Sequence, residues 1–207
     1  MMNRPNQLTT ARIILTPIFV YLLLQQEALY IHLATVVFIL AAFTDYYDGL
    51  VARKYGHVTE VGKFLDPLAD KVLVVSGLLT FVALGFIPLW MVLVIVARDV
   101  VITLLRVYAR FTERSIVTSV IAKWKTFSQM VLMYLILFAM NVGGVMETPL
   151  PDIMVLSSVS VLDVVYSAAL LVTIFTLITG VHYLVGNRQI LMAFVRRCFR
   201  AIIPSDL

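Results

Sequence analysis

The feature that most constrains this chain is a recurring apolar run. Predominantly apolar stretches begin near residues 9, 30, 66, 90, 125 and 161, parted by short polar breaks. A helix needs about 20 such residues to cross a hydrocarbon core. The composition agrees: 61% of residues are hydrophobic and 14% charged, with a mean hydropathy of +0.99. Soluble domains average roughly 45–50% and ~25%. The chain therefore reads as an all-α, polytopic membrane protein, a single domain over 1–207 with about six transmembrane helices.

The first helix runs from near Gln7 or Thr9 to about Leu24, with Pro17 a candidate kink, and the second from about Tyr30 into Arg53. A polar segment, Lys54 to Lys63, leads to a third helix. Asp66-Pro67 suits its start, since proline is tolerated and acids are favoured in a first turn. That helix reaches about Leu84, and Phe86-Ile87-Pro88 turns into a fourth, Trp90 to Arg110. The fifth covers Lys125 to Val142 and the sixth Val161 to Val185, with Asp163 at its start. Between them, Ile153 to Val159 is too short to span and suits the interface. Residues 187–207 form a basic tail carrying Arg188, Arg196, Arg197 and Arg200 with apolar residues between them. Such a segment either lies on anionic lipid as a helix or is flexible.

Basic residues set the orientation. Arg4, Arg53, Lys54, Lys63, Arg110, Arg114, Lys123 and the arginine tail fall on one side, whereas Glu27, Glu147 and Asp152 fall on the other. Both termini are thus expected in the cytoplasm. The net charge of +4 sits in flanks and loops, so it speaks of topology and anionic lipid, not nucleic acid. Cys198 is the sole cysteine and makes no intrachain disulfide. Arg4 and Arg12 precede an apolar run as in a signal peptide, but no clean cleavage site follows.

Asp45, Asp48, Asp66 and Asp70 lie at the cytoplasmic edge of the second and third helices. The pairs are spaced i, i+3 and i, i+4, so each shares a helix face. Acids on membrane helices are rare and mark function by default. Ordinary salt bridges to Arg53, Lys63 and Lys71 are the bland alternative. Four converging carboxylates repel one another unless a hard divalent cation (Mg²⁺, Mn²⁺ or Ca²⁺) lies between them. Gly49 and Ala52 keep the neighbouring face small, Gly62 lets helix ends approach, and Arg53 offers a planar fork for phosphate oxygens. Carboxylates beside an arginine suit a metal-neutralised diphosphate.

Together these residues spell D-x2-D-G-x2-A-R-x8-G-x3-D-x3-D, and at every fixed position the chain resembles the CDP-alcohol phosphotransferase family. The resemblance implies a metal-dependent transferase holding a CDP-linked lipid at the cytoplasmic membrane face. Asp45, Asp48, Asp66 and Asp70 would be the metal ligands, for Mg²⁺ or Mn²⁺ and two ions. Gly49, Ala52 and Arg53 would bind the CDP-lipid, and Asp70 would be the general base with Asp66 beside it. A homodimer in the cell's inner membrane is implied as well.

Further stretches are similar to the bacterial phosphatidylglycerophosphate synthases of that family: Asn3 to Thr9, Arg12, Asp66 to Lys71, and Ala122-Lys123-Trp124-Lys125-Thr126. That likeness implies CDP-diacylglycerol as donor and glycerol 3-phosphate as acceptor. Asn6, Thr9 and Arg12 either line the nucleotide site or serve as helix-start and positive-inside residues. Arg106 and Arg110 are an i, i+4 cationic pair that an anion between them would relieve. With Lys123 and Lys125 they are the candidate pocket for a phosphorylated acceptor. The chain departs from the family pattern there, with Ala97-Arg98-Asp99 for A-R-E, Thr103-Leu104-Leu105-Arg106 for T-G-L-R, and Ala122 for a glycine. Arg98 either pairs with Asp99 or a carbonyl, or touches substrate. His32 and His182 are expected to be packed or interfacial. The alternatives are another acceptor (inositol phosphate, serine or a phospholipid) and, in a different class, a cation transporter. Acids gathered at one membrane face argue against transport, whose sites usually lie near the midplane.

Overall fold

Every described segment is helical. The computed structural model describes the backbone of residues 4–55, 60–112, 121–145 and 161–202, and side chains at 11–44, 71–109, 111–112, 124–142 and 161–197. Among these there are seven helices: α1 (Arg4–Leu24), α2 (Ala28–Tyr55), α3 (Glu60–Ala83), α4 (Leu89–Phe111), α5 (Ile121–Val145), α6 (Val161–Gly186) and α7 (Arg188–Ile202). Two contain stretches long and apolar enough to cross a membrane, Trp124–Val142 and Val161–Gly186. Shorter apolar stretches occupy Ala11–Leu24, Ala28–Thr44 and Lys71–Ala83.

One boundary moves with consequence. Sequence places the start of the third helix at Asp66-Pro67, but α3 begins at Glu60. An acid in the first turn complements the helix dipole as well at Glu60 as at Asp66. Pro67 then sits inside the helix, where it cannot donate to the Lys63 carbonyl. Residues 188–202 of the basic tail form helix α7. The apolar piece 153–159 lies outside the described residues.

Two short corners set the early antiparallel helices. After α1, Gln26 takes a left-handed conformation (φ 57°), and Gln26 N–H donates to the Leu23 carbonyl at 3.3 Å. At the end of α3, Gly85 has φ 81°; its N–H bonds the Val82 carbonyl at 3.0 Å, and Phe86 N–H bonds the Phe81 carbonyl at 2.9 Å. This is a Schellman cap, and its usual apolar contact is present as Phe81 edge-on to Phe86, centroids 6.5 Å apart. The turn foreseen at Phe86–Pro88 thus begins at Gly85. At α6, Asp163 lies in the first turn, as expected.

Helix α1 packs on α2 and α3, while α6 packs on α4 and α5. Phe19 of α1 meets Phe38 of α2 at 5.4 Å, and Phe38 meets Tyr134 of α5 edge-on at 5.1 Å. Leu73, Leu78, Phe81, Met133 and Ile136 complete the same core. The outer surface is apolar too: Tyr21, Phe43, Phe138 and Leu171 are each more than 60% exposed. Large apolar side chains spread over the exterior suit hydrocarbon, not water. A polar contact also joins two helices, where Asn141 Nδ2 of α5 donates to Thr35 Oγ1 of α2 at 2.8 Å.

Because Gly85 has a positive φ and open space around it, Gly85→Ala is expected to cost about 1 kcal/mol through backbone strain alone. Thermal denaturation in detergent should show the loss, without a change in helix content.

Candidate functional site

The backbone carries Asp45 and Asp48 within the C-terminal turns of α2, and Asp66 and Asp70 within the first half of α3. Helical spacing keeps each pair on one face. Only residues 56–59 separate the two helices in sequence. The side chains of these four acids, with Asn6, Thr9, Gly49, Ala52, Arg53, Arg110 and Lys123, lie outside the described side chains.

Next to Asp70 the detail is sharp. Lys71, on the following α3 residue, donates to the backbone carbonyl of Asp99 at 3.0 Å and to the Thr103 hydroxyl. The Thr103 hydroxyl itself donates to that carbonyl at 2.7 Å. The Asp70 turn of α3 is therefore level with the Asp99–Thr103 turn of α4. The Asp99 carboxylate binds on both sides: Oδ1 accepts from Arg98 Nη1 at 3.2 Å, and Oδ2 takes the Lys125 ammonium of α5. Arg98 Nη2 reaches Thr179 Oγ1 of α6 at 3.4 Å. Its aliphatic stem crosses Gly180, where a Cβ would stand 2.9 Å from Arg98 Cγ. Glycine is what lets α6 lie so close to that side chain.

Four helices thus meet at the Arg98–Asp99 pair. The Lys125 side chain is 5% exposed and the Asp99 side chain 13%. A buried pair of this kind is costly to form, and costlier to leave half-made. Arg98 resolves in favour of its structural alternative, pairing with Asp99. Lys125, expected at the acceptor, has its ammonium on Asp99. Arg106 is exposed on the next turns of α4. Arg12 of α1 is fully buried (1% exposed), unlike a cation that merely flanks a membrane span.

Sequence reasoning left Asp99 as a departure from a pattern, not a junction. The available signal was charge arithmetic: Lys71, Arg98 and Lys125 all lie within apolar runs, and Asp99 is the acid placed among them. Between α5 and α6 there is also a groove of about 830 Å³, lined by Trp124, Phe127, Val131, Leu135, Val172 and Phe175 among others. His182 and Thr179 also line it, so its polar edge adjoins the Arg98 contact.

The chain matches the CDP-alcohol phosphatidyltransferase family over residues 2–194. It belongs to that family and is an enzyme of the phosphatidyltransferase class. Among its relatives, the CDP-diacylglycerol–glycerol-3-phosphate 3-phosphatidyltransferase of Bacillus subtilis is 41% identical, covering 63% of this chain and 74% of its own. The Rickettsia typhi protein of the same name is 35% identical over 88% of this chain and 96% of its own. A Mycobacterium tuberculosis protein named probable phosphatidylglycerophosphate synthase is 36% identical, covering 87% and 79%.

Asp99→Asn should destabilise the protein by about 3 kcal/mol, because it strands a buried cation. Adding Lys125→Met should recover part of that loss. A double-mutant cycle by thermal denaturation measures the coupling, which additive losses would refute.

Proposed function

We propose that this enzyme transfers a phosphatidyl group from CDP-diacylglycerol to glycerol 3-phosphate, releasing CMP and forming phosphatidylglycerol phosphate. The observation that carries the reading is the eight-residue pattern from Asp45 to Asp70, set on α2 and α3 in a chain that matches the family almost end to end. The names of the relatives supply donor and acceptor.

Four carboxylates at two helical spacings form an all-oxygen donor set, which fits a hard divalent cation and suits Mg²⁺ or Mn²⁺. Asp45, Asp48, Asp66 and Asp70 would hold two such ions. Bound metal would neutralise diphosphate oxygens and polarise the phosphorus under attack. The protein's own groups do the rest. Arg53 grips the diphosphate, and Gly49 and Ala52 leave room for the cytidine. Asp70 accepts the proton of the acceptor hydroxyl. That oxygen bonds to the phosphorus bearing diacylglycerol as the bond from this phosphorus to the CMP oxygen breaks. Arg106, Arg110 and Lys123 face the acceptor phosphate. Lys125 belongs to the same wall, oriented by Asp99. The α5–α6 groove has the size and apolar lining for hydrocarbon. Six helices cross the inner membrane with both termini and the active site on the cytoplasmic side; α7 is the surface helix, and the enzyme is a homodimer.

Purified enzyme given CDP-diacylglycerol and Mg²⁺ or Mn²⁺ should release CMP with glycerol 3-phosphate, and far less with inositol phosphate or serine. Absence of metal-dependent CMP with any acceptor would sink the reading. Asp70→Asn should abolish turnover in a folded protein, whereas substantial residual activity would remove Asp70 as base. Arg110→Ala should raise KM for glycerol 3-phosphate more than for CDP-diacylglycerol; equal effects would move the acceptor pocket elsewhere.

A further inference from the structure

Helix α7 is the element that the reaction leaves without a task. Its sequence, Arg188 to Ile202, holds four arginines and no acid, and no Asp or Glu occurs anywhere between Val164 and Ser205. At 100° per residue, Gln189, Arg196, Arg197 and Arg200 fall within about 100° of arc, and apolar residues fill most of the remainder, with Arg188 at the first position of the helix the exception. That apolar side is wider than its contact with the bundle. One edge is used: Ile190 is buried, and the Phe194 ring meets Tyr108 of α4 edge-on at 5.2 Å. The other edge is open, with Met192 50% and Val195 41% exposed. Arg196 and Arg197 are exposed and make no ion pair with another described residue.

A helix so divided needs two different surroundings. Its open apolar edge calls for hydrocarbon, and its unpaired arginines call for anions beside that hydrocarbon. A water-facing helix would satisfy the arginines but leave Met192 and Val195 wet. A spanning helix would bury the arginines at several kcal/mol each. We propose that α7 is a docking surface for anionic phospholipid, lying in the headgroup layer with its open edge toward the acyl chains. The Phe194–Tyr108 contact ties this helix to the last turns of α4, which carry Arg106 and Arg110. Lipid charge would thereby steady that end of α4, whatever acceptor the enzyme uses.

The test uses the full chain and its single cysteine, Cys198, which lies within α7. Protein labelled there with an environment-sensitive dye is reconstituted in vesicles of phosphatidylcholine alone or mixed with phosphatidylglycerol, and quenching by aqueous acrylamide is measured. The mixed vesicles should protect the dye, and high salt should reverse the protection. Arg196→Gln with Arg197→Gln should weaken docking by about fivefold per charge removed. Hydrogen exchange of the unlabelled chain should show the same lipid dependence over 188–202, which guards against disturbance by the dye. Equal quenching and exchange in both vesicle types would overturn the proposal, as would indifference to the double substitution. Protection by inorganic phosphate in phosphatidylcholine vesicles, equal to that by phosphatidylglycerol, would replace the lipid surface with a free-anion site.

Discussion

A carboxylate with cations on two sides, inside an apolar bundle, is the constraint on which the rest depends. In a low-dielectric interior an unpaired charge is far costlier than in water, so Lys125 and Arg98 must each find a partner. Asp99 serves both, and its backbone carbonyl receives Lys71 as well. Three helices are thereby held in register with the fourth that carries Asp99. Hydrophobic packing in a membrane lacks this directionality, because lipid tails are as apolar as the side chains they would displace. The polar junction supplies the register that leucines and phenylalanines do not.

That register matters because of what lies next to it in the chain. Lys71 follows Asp70 directly, so any shift of α3 against α4 moves the turn that carries Asp70, the proposed base. The Schellman cap at Gly85 acts on the same helix pair from the other end, setting the distance at which α4 returns along α3. Between these two fixed points the helices are packed by ordinary apolar contacts such as Leu73, Leu78 and Phe81. The proposed metal site draws its carboxylates from α2 and α3, and these clamps would fix the α3 share of it against α4.

Bundle and surface obey different rules here. The core has the close packing of any helical protein, with the Phe19, Phe38 and Tyr134 rings in contact. The exterior keeps large apolar side chains exposed along α1, α2, α5 and α6, while α7 combines an apolar edge with an arginine face. Membrane chemistry accounts for the first, since hydrocarbon suits large exposed apolar side chains, and the proposed headgroup position of α7 would account for the second.

Much of this was legible in the chain itself, because hydropathy has the length scale of a bilayer and the Asp45–Asp70 pattern has the periodicity of a helix. The helical class of the chain, the turn near Phe86–Pro88 and the family all follow from residue order. The start of α3 did not, since Asp66-Pro67 and Glu60 satisfy local end preferences equally well and a bundle tolerates an internal proline. Nor did the partner of Lys125, which is separated from Asp99 by 26 positions. Sequence alone determined which charges must be paired, because an apolar medium forbids leaving them bare. Tertiary structure decided which charge each one meets, because that depends on how helices distant in the chain are stacked against one another.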